Sequence, residues 1–398
     1  MRFCIQKFGF CLSLSASAWS CQSEAEKSID DQSVLRATVW QEWQDSARKA
    51  GYQEPLSSEL AEKHRHDMKA LSGLIPRGYP EPYLPYGLLD NADIDPGLSH
   101  EPRMTAELIR LGEALFFDQA LSFAHGQGFS AQISCASCHK PELAFSDGES
   151  LSIGVAGDET RHNSPGLINV SYQSNLTWSP LFLSILEKQA EIPLFGDDPI
   201  EMGLRGLEQD LRSTLVGSPV DYVELFRSAF PEQKHLWLNA DFFNYDSLTL
   251  ALAAYQRSLI EFDSPFDRWL QGDSSVLDTE ELVGLQLFFQ LQELESGEKL
   301  NCNTCHSGFL FSNNFQYVLE GKFYWNQEFH ESPHHDDLDF KVPSLRKLRF
   351  TKPYGAFGQF ADLTELLREY EEGRRHASPS FSLTGAERVA LIKFLQAL

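Results

Sequence analysis

Two copies of the pattern C-x-x-C-H constrain this chain more than any other feature of its sequence. They read CASCH at 135–139 and CNTCH at 302–306. Two thiols one helical turn apart can add to the vinyl groups of a haem, and the histidine that follows can coordinate its iron. A competing interpretation is a zinc or redox C-x-x-C motif beside a histidine. The sequence has no cysteine pairs beyond these two motifs to complete such sites. We therefore expect two covalent haem c groups, attached at Cys135, Cys138, Cys302 and Cys305 and ligated by His139 and His306.

The N-terminus has the pattern of an export signal. Arg2 and Lys7 supply positive charge, residues 8–14 are mainly apolar, and Ala16-Ser17-Ala18 offers a cleavage site. We expect residues 1–20 to be a signal peptide and the mature protein to be periplasmic. Cys21 then remains as either a lipid-anchoring site or a lone thiol in an oxidising compartment, and the sequence leaves both open.

Composition limits the classes of partner. The chain has 398 residues and is 42% hydrophobic, with no internal apolar run long enough to span a membrane. Its formal net charge of -24 argues against nucleic acid or an anionic membrane surface as a partner. The same charge favours a cationic partner protein, or it serves only to keep the protein soluble.

Apolar spacing predicts an all-α fold, because almost no segment alternates with period two. We expect a tether and loop-rich N-terminal extension at 21–103, then two c-type cytochrome domains at 104–240 and 241–398. The clearest helices are predicted at 105–117, 181–189, 204–215, 219–230, 247–262, 279–292, 363–370 and 385–398.

Methionine usage bears on the sixth iron ligands. The four methionines are Met1, Met68, Met104 and Met202, so none lies in residues 203–398. The haem at His306 therefore has no local methionine for the His/Met ligation common in electron-transfer cytochromes. Its sixth ligand must be another group or nothing, and a tyrosine oxygen is one option.

Several stretches of residues 105–398 resemble the bacterial dihaem cytochrome c peroxidase superfamily. Within it, NLTWSPLFLSILEKQAEIPLFGDDPIEMG at 175–203 is most similar to the MauG-like branch found with methanobactin clusters, which oxidises tryptophan in a partner protein. The remaining matches are LGEALFFDQALS at 111–122, SCASCHKPELAFSDG at 134–148, RHNSPGLINV at 161–170 and FKVPSLRKLRFTKPYG at 340–355.

That resemblance implies an enzyme that uses hydrogen peroxide to form a high-valent dihaem state and then oxidises a periplasmic partner protein, with tryptophan as a candidate target. One alternative is a peroxidase that removes peroxide with electrons from a small cytochrome c or a cupredoxin. A second, non-enzymatic alternative is a dihaem electron carrier, which requires both irons to be capped. Whether and how the protein reacts with hydrogen peroxide distinguishes these hypotheses.

The resemblance also distinguishes the two haems. Relatives that cap the first haem do so with a histidine after S-I-G, whereas Val155 follows Ser152-Ile153-Gly154 here and cannot ligate iron. The first haem should therefore be open, unless His125 or His162 caps it. The position at which classical members of the family carry the second haem's methionine ligand falls on Tyr370. MauG-like enzymes carry a tyrosine ligand at that position. A tyrosine in an amphipathic helix could instead be a core residue.

Four further residues match catalytic positions of the family. Glu201 would be the acid–base group, Gln189 would orient peroxide, and Pro193 would shield the pocket. Trp178 falls where relatives place a tryptophan between the haems. Ordinary surface exposure of Glu201 and simple core packing of Trp178 are the competing interpretations.

An inter-haem calcium site is also implied by the resemblance, with Asn163 and the backbone carbonyls of Thr351 and Pro353 as ligands. An all-oxygen, mostly neutral set suits calcium. The sequence departs from its relatives at two places. Ala356 replaces a histidine near the second haem, and Leu300 replaces a tryptophan before the second motif, so any exit for oxidising equivalents must differ from that of MauG.

Overall fold

In the computed structural model, the described residues begin at Thr105. The signal peptide, the tether, Cys21 and His125 lie outside the described residues. The described ranges are 105–122, 132–173, 175–179, 183, 185–231, 243–270, 272–312, 316–318, 324–325, 328–329, 339–372 and 381–398.

Helices dominate the described residues. The eleven α-helices found there are α1 (Ala106–Phe117), α2 (Cys135–Cys138), α3 (Leu186–Phe195), α4 (Glu208–Val216), α5 (Tyr222–Ala229), α6 (Tyr245–Ser258), α7 (Pro265–Leu270), α8 (Thr279–Phe288), α9 (Cys302–Cys305), α10 (Leu363–Glu371) and α11 (Gly385–Gln396). Short 3-10 turns occur at Gln119–Ser122, Pro141–Leu143, Val170–Tyr172 and Leu348–Phe350. The expectation of a mainly α-helical fold is confirmed.

Strands are few and short in the described ranges. The strand β1 (Gln316–Val318) pairs antiparallel with β4 (Asp339–Lys341), and β2 (Tyr324–Trp325) pairs antiparallel with β3 (Glu328–Phe329). In the first pair Gln316 lies opposite Lys341. These ribbons are minor additions to a helical framework.

Side-chain caps explain where several helices begin. Thr105 Oγ1 accepts a hydrogen bond from the Leu108 amide and starts α1, as the sequence predicted. Asp278 with Glu281, and Thr384 with Glu387, form capping boxes at α8 and α11. Helix α3 differs from the expected 181–189 because it continues through Pro193, which normally stops a helix, to Phe195.

Two hydrophobic clusters form the core of the described residues. The first runs from Leu108 to Tyr255 along the chain, and the second runs from Phe266 to Leu398. Helix α6 lies beyond the domain boundary expected at residue 240, yet it packs in the first cluster. The two-domain division itself stays a prediction.

Each cluster contains a close helix crossing at a glycine. A Cβ atom on Gly112 of α1 would lie 1.9 Å from the carbonyl oxygen of Ala251 in α6. A Cβ atom on Gly284 of α8 would likewise lie 2.0 Å from the carbonyl oxygen of Ala390 in α11. The helix that precedes each C-x-x-C-H motif therefore packs backbone-to-backbone against a later helix, and the same device supports both motifs.

Buried ion pairs fix further elements around these crossings. Arg257 of α6 donates two hydrogen bonds of 2.6 Å to the carboxylate of Glu187 in α3. Arg346 donates to Asp267 of α7 at 2.7 and 2.8 Å. All four side chains are buried. No helix in the described ranges combines the length and hydropathy that crossing a membrane requires.

Candidate active site

Both C-x-x-C-H motifs adopt the same local structure. The cysteines lie on the one-turn helices α2 and α9, and each histidine follows directly. His139 Nδ1 donates to the carbonyl oxygen of Phe145 at 2.8 Å, and His306 Nδ1 donates to that of Phe311 at 3.0 Å. A carbonyl only accepts, so Nδ1 carries the proton and Nε2 holds the lone pair that iron ligation needs. The two motifs fit covalent haem.

A cavity of about 240 Å³ surrounds the second motif. It is lined by Cys302, Cys305, His306 and one face of α10. That face consists of Leu363, Leu366, Leu367 and Tyr370, which follow the i, i+3, i+4, i+7 spacing of a helix stripe. The structure thus brings Tyr370 to the same apolar cavity as His306, and this lining fits the flat, apolar body of a haem.

The same cavity extends to Trp178 and Asn163. Trp178 Nε1 donates to the backbone carbonyl oxygen of Asn163 at 2.9 Å. The amide of Lys341 in β4 donates to the carbonyl oxygen of Trp178 at 3.2 Å. Trp178 is therefore hydrogen-bonded both to the segment that follows the first motif and to a strand that follows the second.

Two loops meet near the first motif. Val155 is buried, and its amide donates to the carbonyl oxygen of Glu201 at 2.7 Å. A Cβ atom on Gly154 would lie 2.1 Å from the carbonyl oxygen of Ile200. Only glycine permits this approach, because any larger residue would push the Val155 loop away from Glu201.

Helix α3 carries the other two residues expected beside the first haem, Gln189 and Pro193. The carbonyl oxygen of Pro193 accepts a hydrogen bond of 2.9 Å from the amide of Met202, the neighbour of Glu201. Gln189 lies one turn earlier on the same helix. The structure thus joins Pro193 to the Glu201 loop through the backbone, and Gln189 shares the element that does so.

Electrostatics link Glu201 to the first motif. Burial raises the pKa of Glu201 to about 7. Burial also raises the pKa of Cys135 to about 12, with smaller contributions from Cys138 and from the charge of Glu201. The pKa of Cys138 is raised by burial, and Glu201 again contributes. The Glu201 carboxylate therefore lies within electrostatic range of both thiols. Burial lowers the pKa of His139, which favours the neutral ring that ligation requires.

Comparison with known proteins places this arrangement in a family. The sequence model described as di-haem cytochrome c peroxidase matches residues 106–275. The methylamine utilization protein MauG of Methylorubrum extorquens is 31% identical over 312 residues, which cover 74% of this chain and 79% of that protein. The chain belongs to the dihaem cytochrome c peroxidase and MauG family. It is accordingly a dihaem peroxidase-type oxidoreductase with haem c as its cofactor.

Two further relatives of this dihaem enzyme bear on its branch. Cytochrome c551 peroxidase of Pseudomonas aeruginosa is 29% identical over 270 residues, covering 64% of this chain and 69% of that protein. A crystal structure of a MauG-like protein associated with microbial copper homeostasis superposes with a TM-score of 0.60 and 31% identity. That match covers 75% of this chain and 90% of the solved one.

The expected calcium ligands of the enzyme share the cavity described above. Asn163 is buried, and Asn163, Thr351 and Pro353 all line that cavity. Asn163 Nδ2 donates to the carbonyl oxygen of Glu149 at 2.7 Å, which directs the amide nitrogen away and leaves Oδ1 as the atom suited to a cation. The backbone N–H of Asn163 donates to the carbonyl oxygen of Ala356 at 2.8 Å.

Sequence reasoning missed two residues of the dihaem enzyme's site. Gly154 sets the contact between the Val155 and Glu201 loops, and Lys341 is a buried cation beside Trp178. The available signal for Lys341 was a lysine flanked by the apolar residues of F-K-V-P. Of the alternatives weighed, His162 packs 5.3 Å from the ring of Phe357 and 6.0 Å from that of Phe340. Leu300 is buried.

Proposed function

We propose that this chain is a hydrogen-peroxide-dependent dihaem oxidase that withdraws electrons from a partner protein in the periplasm. The observation that carries the proposal is the inequality of the two motif sites. Tyr370 lines the same cavity as His306, and Val155 is buried. The resemblance to the family aligns Val155 with the histidine that caps the first haem in other members, so we infer no such cap here. One site is thus suited to receive peroxide and the other to hold oxidising equivalents.

Two haem c groups supply the redox chemistry when bound, reducing peroxide by two electrons and storing the resulting oxidising equivalents. His139 would hold the first iron through Nε2, because its Nδ1 donates to the Phe145 carbonyl. His306 and the Tyr370 oxygen, which line one cavity, would hold the second iron, and a phenolate ligand would favour its oxidised state.

Glu201 acts as the acid–base group of the first pocket. Its carboxylate takes a proton from hydrogen peroxide and returns it to the departing oxygen, which leaves as water. The pKa of about 7 suits both transfers near neutral pH. Gln189 Nε2 donates a hydrogen bond that orients peroxide, and Pro193 excludes water from the pocket.

Trp178 relays electrons between the sites. Its half-buried indole lines the second cavity, and its Nε1–H is held by the Asn163 carbonyl close to the first motif. Asn163 Oδ1 and the carbonyls of Thr351 and Pro353 would bind one calcium ion, which would hold these segments together. Dialysis against a calcium chelator tests this: bound calcium should be lost and the absorption of the second haem should shift, and an unchanged metal content and spectrum would contradict the site.

The partner is a secreted protein oxidised at tryptophan. The proposal draws on the likeness to a MauG-like protein associated with copper homeostasis, the expected signal peptide at 1–20 and the net charge of -24, which favours a cationic partner. Lipid attachment at Cys21 would confine the enzyme to a membrane surface. Mass spectrometry of the mature N-terminus decides between a lipidated and a free Cys21.

Peroxide removal with a small cytochrome c as donor is the second candidate, favoured by the 29% identity to a cytochrome c551 peroxidase. Steady-state oxidation of a reduced small cytochrome c or cupredoxin by peroxide separates the two functions. We expect slow turnover and a long-lived oxidised enzyme. Rapid turnover at a rate typical of peroxidases would favour the second candidate and overturn the first. An electron carrier would show no reaction with peroxide at all.

A further inference from the structure

Lys341 brings a buried positive charge next to Trp178. Its side chain is 7% exposed, and its Nζ lies 5.9 Å from the centroid of the Trp178 ring. Nζ donates to Gln173 Oε1 at 3.0 Å and to the carbonyl oxygen of Asn175 at 3.3 Å. Together with the amide bond to the Trp178 carbonyl, these contacts fix Lys341 against the indole from a strand of the opposite half.

No carboxylate among the described residues compensates this charge. Among the residues that the structure describes, no Asp or Glu oxygen lies within ion-pairing distance of Lys341 Nζ, and its two acceptors are neutral amide oxygens. Burial lowers the pKa of Lys341 to about 8, so the ammonium form still prevails at pH 7. A neutral donor at position 341 would be enough to hydrogen-bond Gln173 and Asn175. What a cation adds is an electric field at the indole.

That field matters because of how the indole is hydrogen-bonded. When Trp178 gives up one electron, the indole becomes a radical cation. Its Nε1–H donates to the Asn163 carbonyl, which accepts a hydrogen bond but is too weak a base to take the proton. The oxidised indole therefore keeps its positive charge. At an effective dielectric constant of about 20, two like charges roughly 6 Å apart shift an equilibrium by about a hundredfold.

We propose that Lys341 is a positioning and tuning residue that raises the oxidation potential of Trp178, so that Trp178 passes charge but does not retain it. The proposal rests on the proposed relay function of Trp178. Hydrogen peroxide is the oxidant: it takes two electrons and two protons to become two waters, and one electron comes from the indole when the hole crosses it. With Lys341 protonated, the radical cation is short-lived and the indole is quickly re-reduced.

The test is freeze-quench EPR of the haem-loaded full-length protein after stoichiometric hydrogen peroxide. In Lys341→Met, which keeps most of the unbranched side chain but removes its charge, we expect the tryptophan radical signal to rise at least about tenfold over the wild type. The signal should change its hyperfine pattern with ring-deuterated tryptophan and vanish in the double variant with Trp178→Phe. Lys393→Met is the matched control, since it removes the same charge from a surface ion pair and should leave the signal unchanged.

Lys341→Gln provides a second variant if the methionine variant fails to fold, because it retains a donor for Gln173 while removing the charge. No increase of the radical in either folded variant overturns the inference. Trp178→Phe alone tests the relay separately, through the rate at which peroxide-oxidised enzyme takes electrons from a donor protein. An unchanged rate in Trp178→Phe refutes the relay. If the radical signal nevertheless increases in Lys341→Met as expected, the electrostatic effect of Lys341 stands on its own.

Discussion

The amide of Val155 donates a hydrogen bond of 2.7 Å to the carbonyl oxygen of Glu201. This contact joins the residue that replaces a potential iron ligand to the residue proposed to move the peroxide proton. Gly154 makes the contact possible, because a Cβ atom there would clash with Ile200 and Glu201. The proposed openness of the first site and the position of its proposed base therefore both depend on the backbone around Gly154.

Gly154→Ala should damage the peroxide reaction without removing haem. The added methyl group forces the two loops apart, and a displacement of the base of about 1 Å can cost up to about a hundredfold in rate. Stopped-flow absorption with hydrogen peroxide measures the second-order rate constant. Gly385→Ala is the matched control, because a Cβ atom at that glycine meets nothing within 4 Å. If the two variants react equally fast, the loop contact has no role in catalysis.

Glu201→Gln should slow the reaction with peroxide by about 10²–10⁴-fold, the usual contribution of a general acid–base group. Glutamine keeps the size of the side chain but cannot carry the proton. The haem content and the resting spectrum should match the wild type, which separates a chemical effect from misfolding. A rate equal to that of the wild type would remove Glu201 from the mechanism.

The rate of the peroxide reaction should rise with pH. Burial raises the pKa of Glu201 to about 7, so at pH 6 the carboxyl is mainly protonated, whereas an ordinary glutamate would be ionised. The base form increases about tenfold per pH unit below that pKa and saturates above it. Stopped-flow rates between about pH 5 and pH 8.5 should follow this curve in the wild type and be much flatter in Glu201→Gln. A flat wild-type profile is the contrary result.

Tyr370→Phe should change the coordination of the second haem and leave the first unchanged. Removing the phenol oxygen deletes the proposed sixth ligand, so we expect a shift from low-spin to high-spin iron by EPR at one haem only. Tyr354→Phe is the control, since Tyr354 lines the same cavity but donates its hydroxyl to the Leu348 carbonyl at 2.8 Å. Identical spectra for both variants would exclude Tyr370 as a ligand.

Glu187→Gln should destabilise the fold strongly. Glu187 receives two hydrogen bonds of 2.6 Å from Arg257, and both side chains are buried, so the substitution leaves a guanidinium charge uncompensated. Breaking such a pair costs about 3–5 kcal/mol, measurable as a lower urea midpoint. Arg227→Ala, at an exposed pair with Glu224, should change the midpoint little. Equal midpoints for the two variants would mean that the buried pair adds no stability.

The sequence predicts haem attachment from local spacing alone, and the match to a dihaem family agrees with haem as the cofactor. The start of α1 was also predictable, since Thr105 caps it and the leucines of 108, 111 and 115 repeat at helical spacing. Helix α3 was predicted at 181–189, too close to the N-terminus, because a proline normally ends a helix. In the structure Pro193 instead lies in the last turn of the helix. Its missing amide donor there affects one hydrogen bond at most.

The contacts that join the two halves could not be predicted in this way. Lys341 and Trp178 are far apart in the chain. The apolar neighbours in F-K-V-P indicate that the lysine is buried, but they do not identify the indole that it contacts. Helix α6 packs against α1 rather than with the residues that follow it, because Gly112 admits the backbone of Ala251. Such close approaches depend on tertiary geometry, which one sequence does not encode as a pattern.

Low-temperature EPR of the resting, fully oxidised protein, before and after stoichiometric hydrogen peroxide, tests the inequality of the two haems most directly. The account predicts one high-spin signal from an open haem at His139 and one low-spin signal from a haem held by His306 and Tyr370, with both signals lost on adding peroxide. Two low-spin signals that do not respond to peroxide would contradict it.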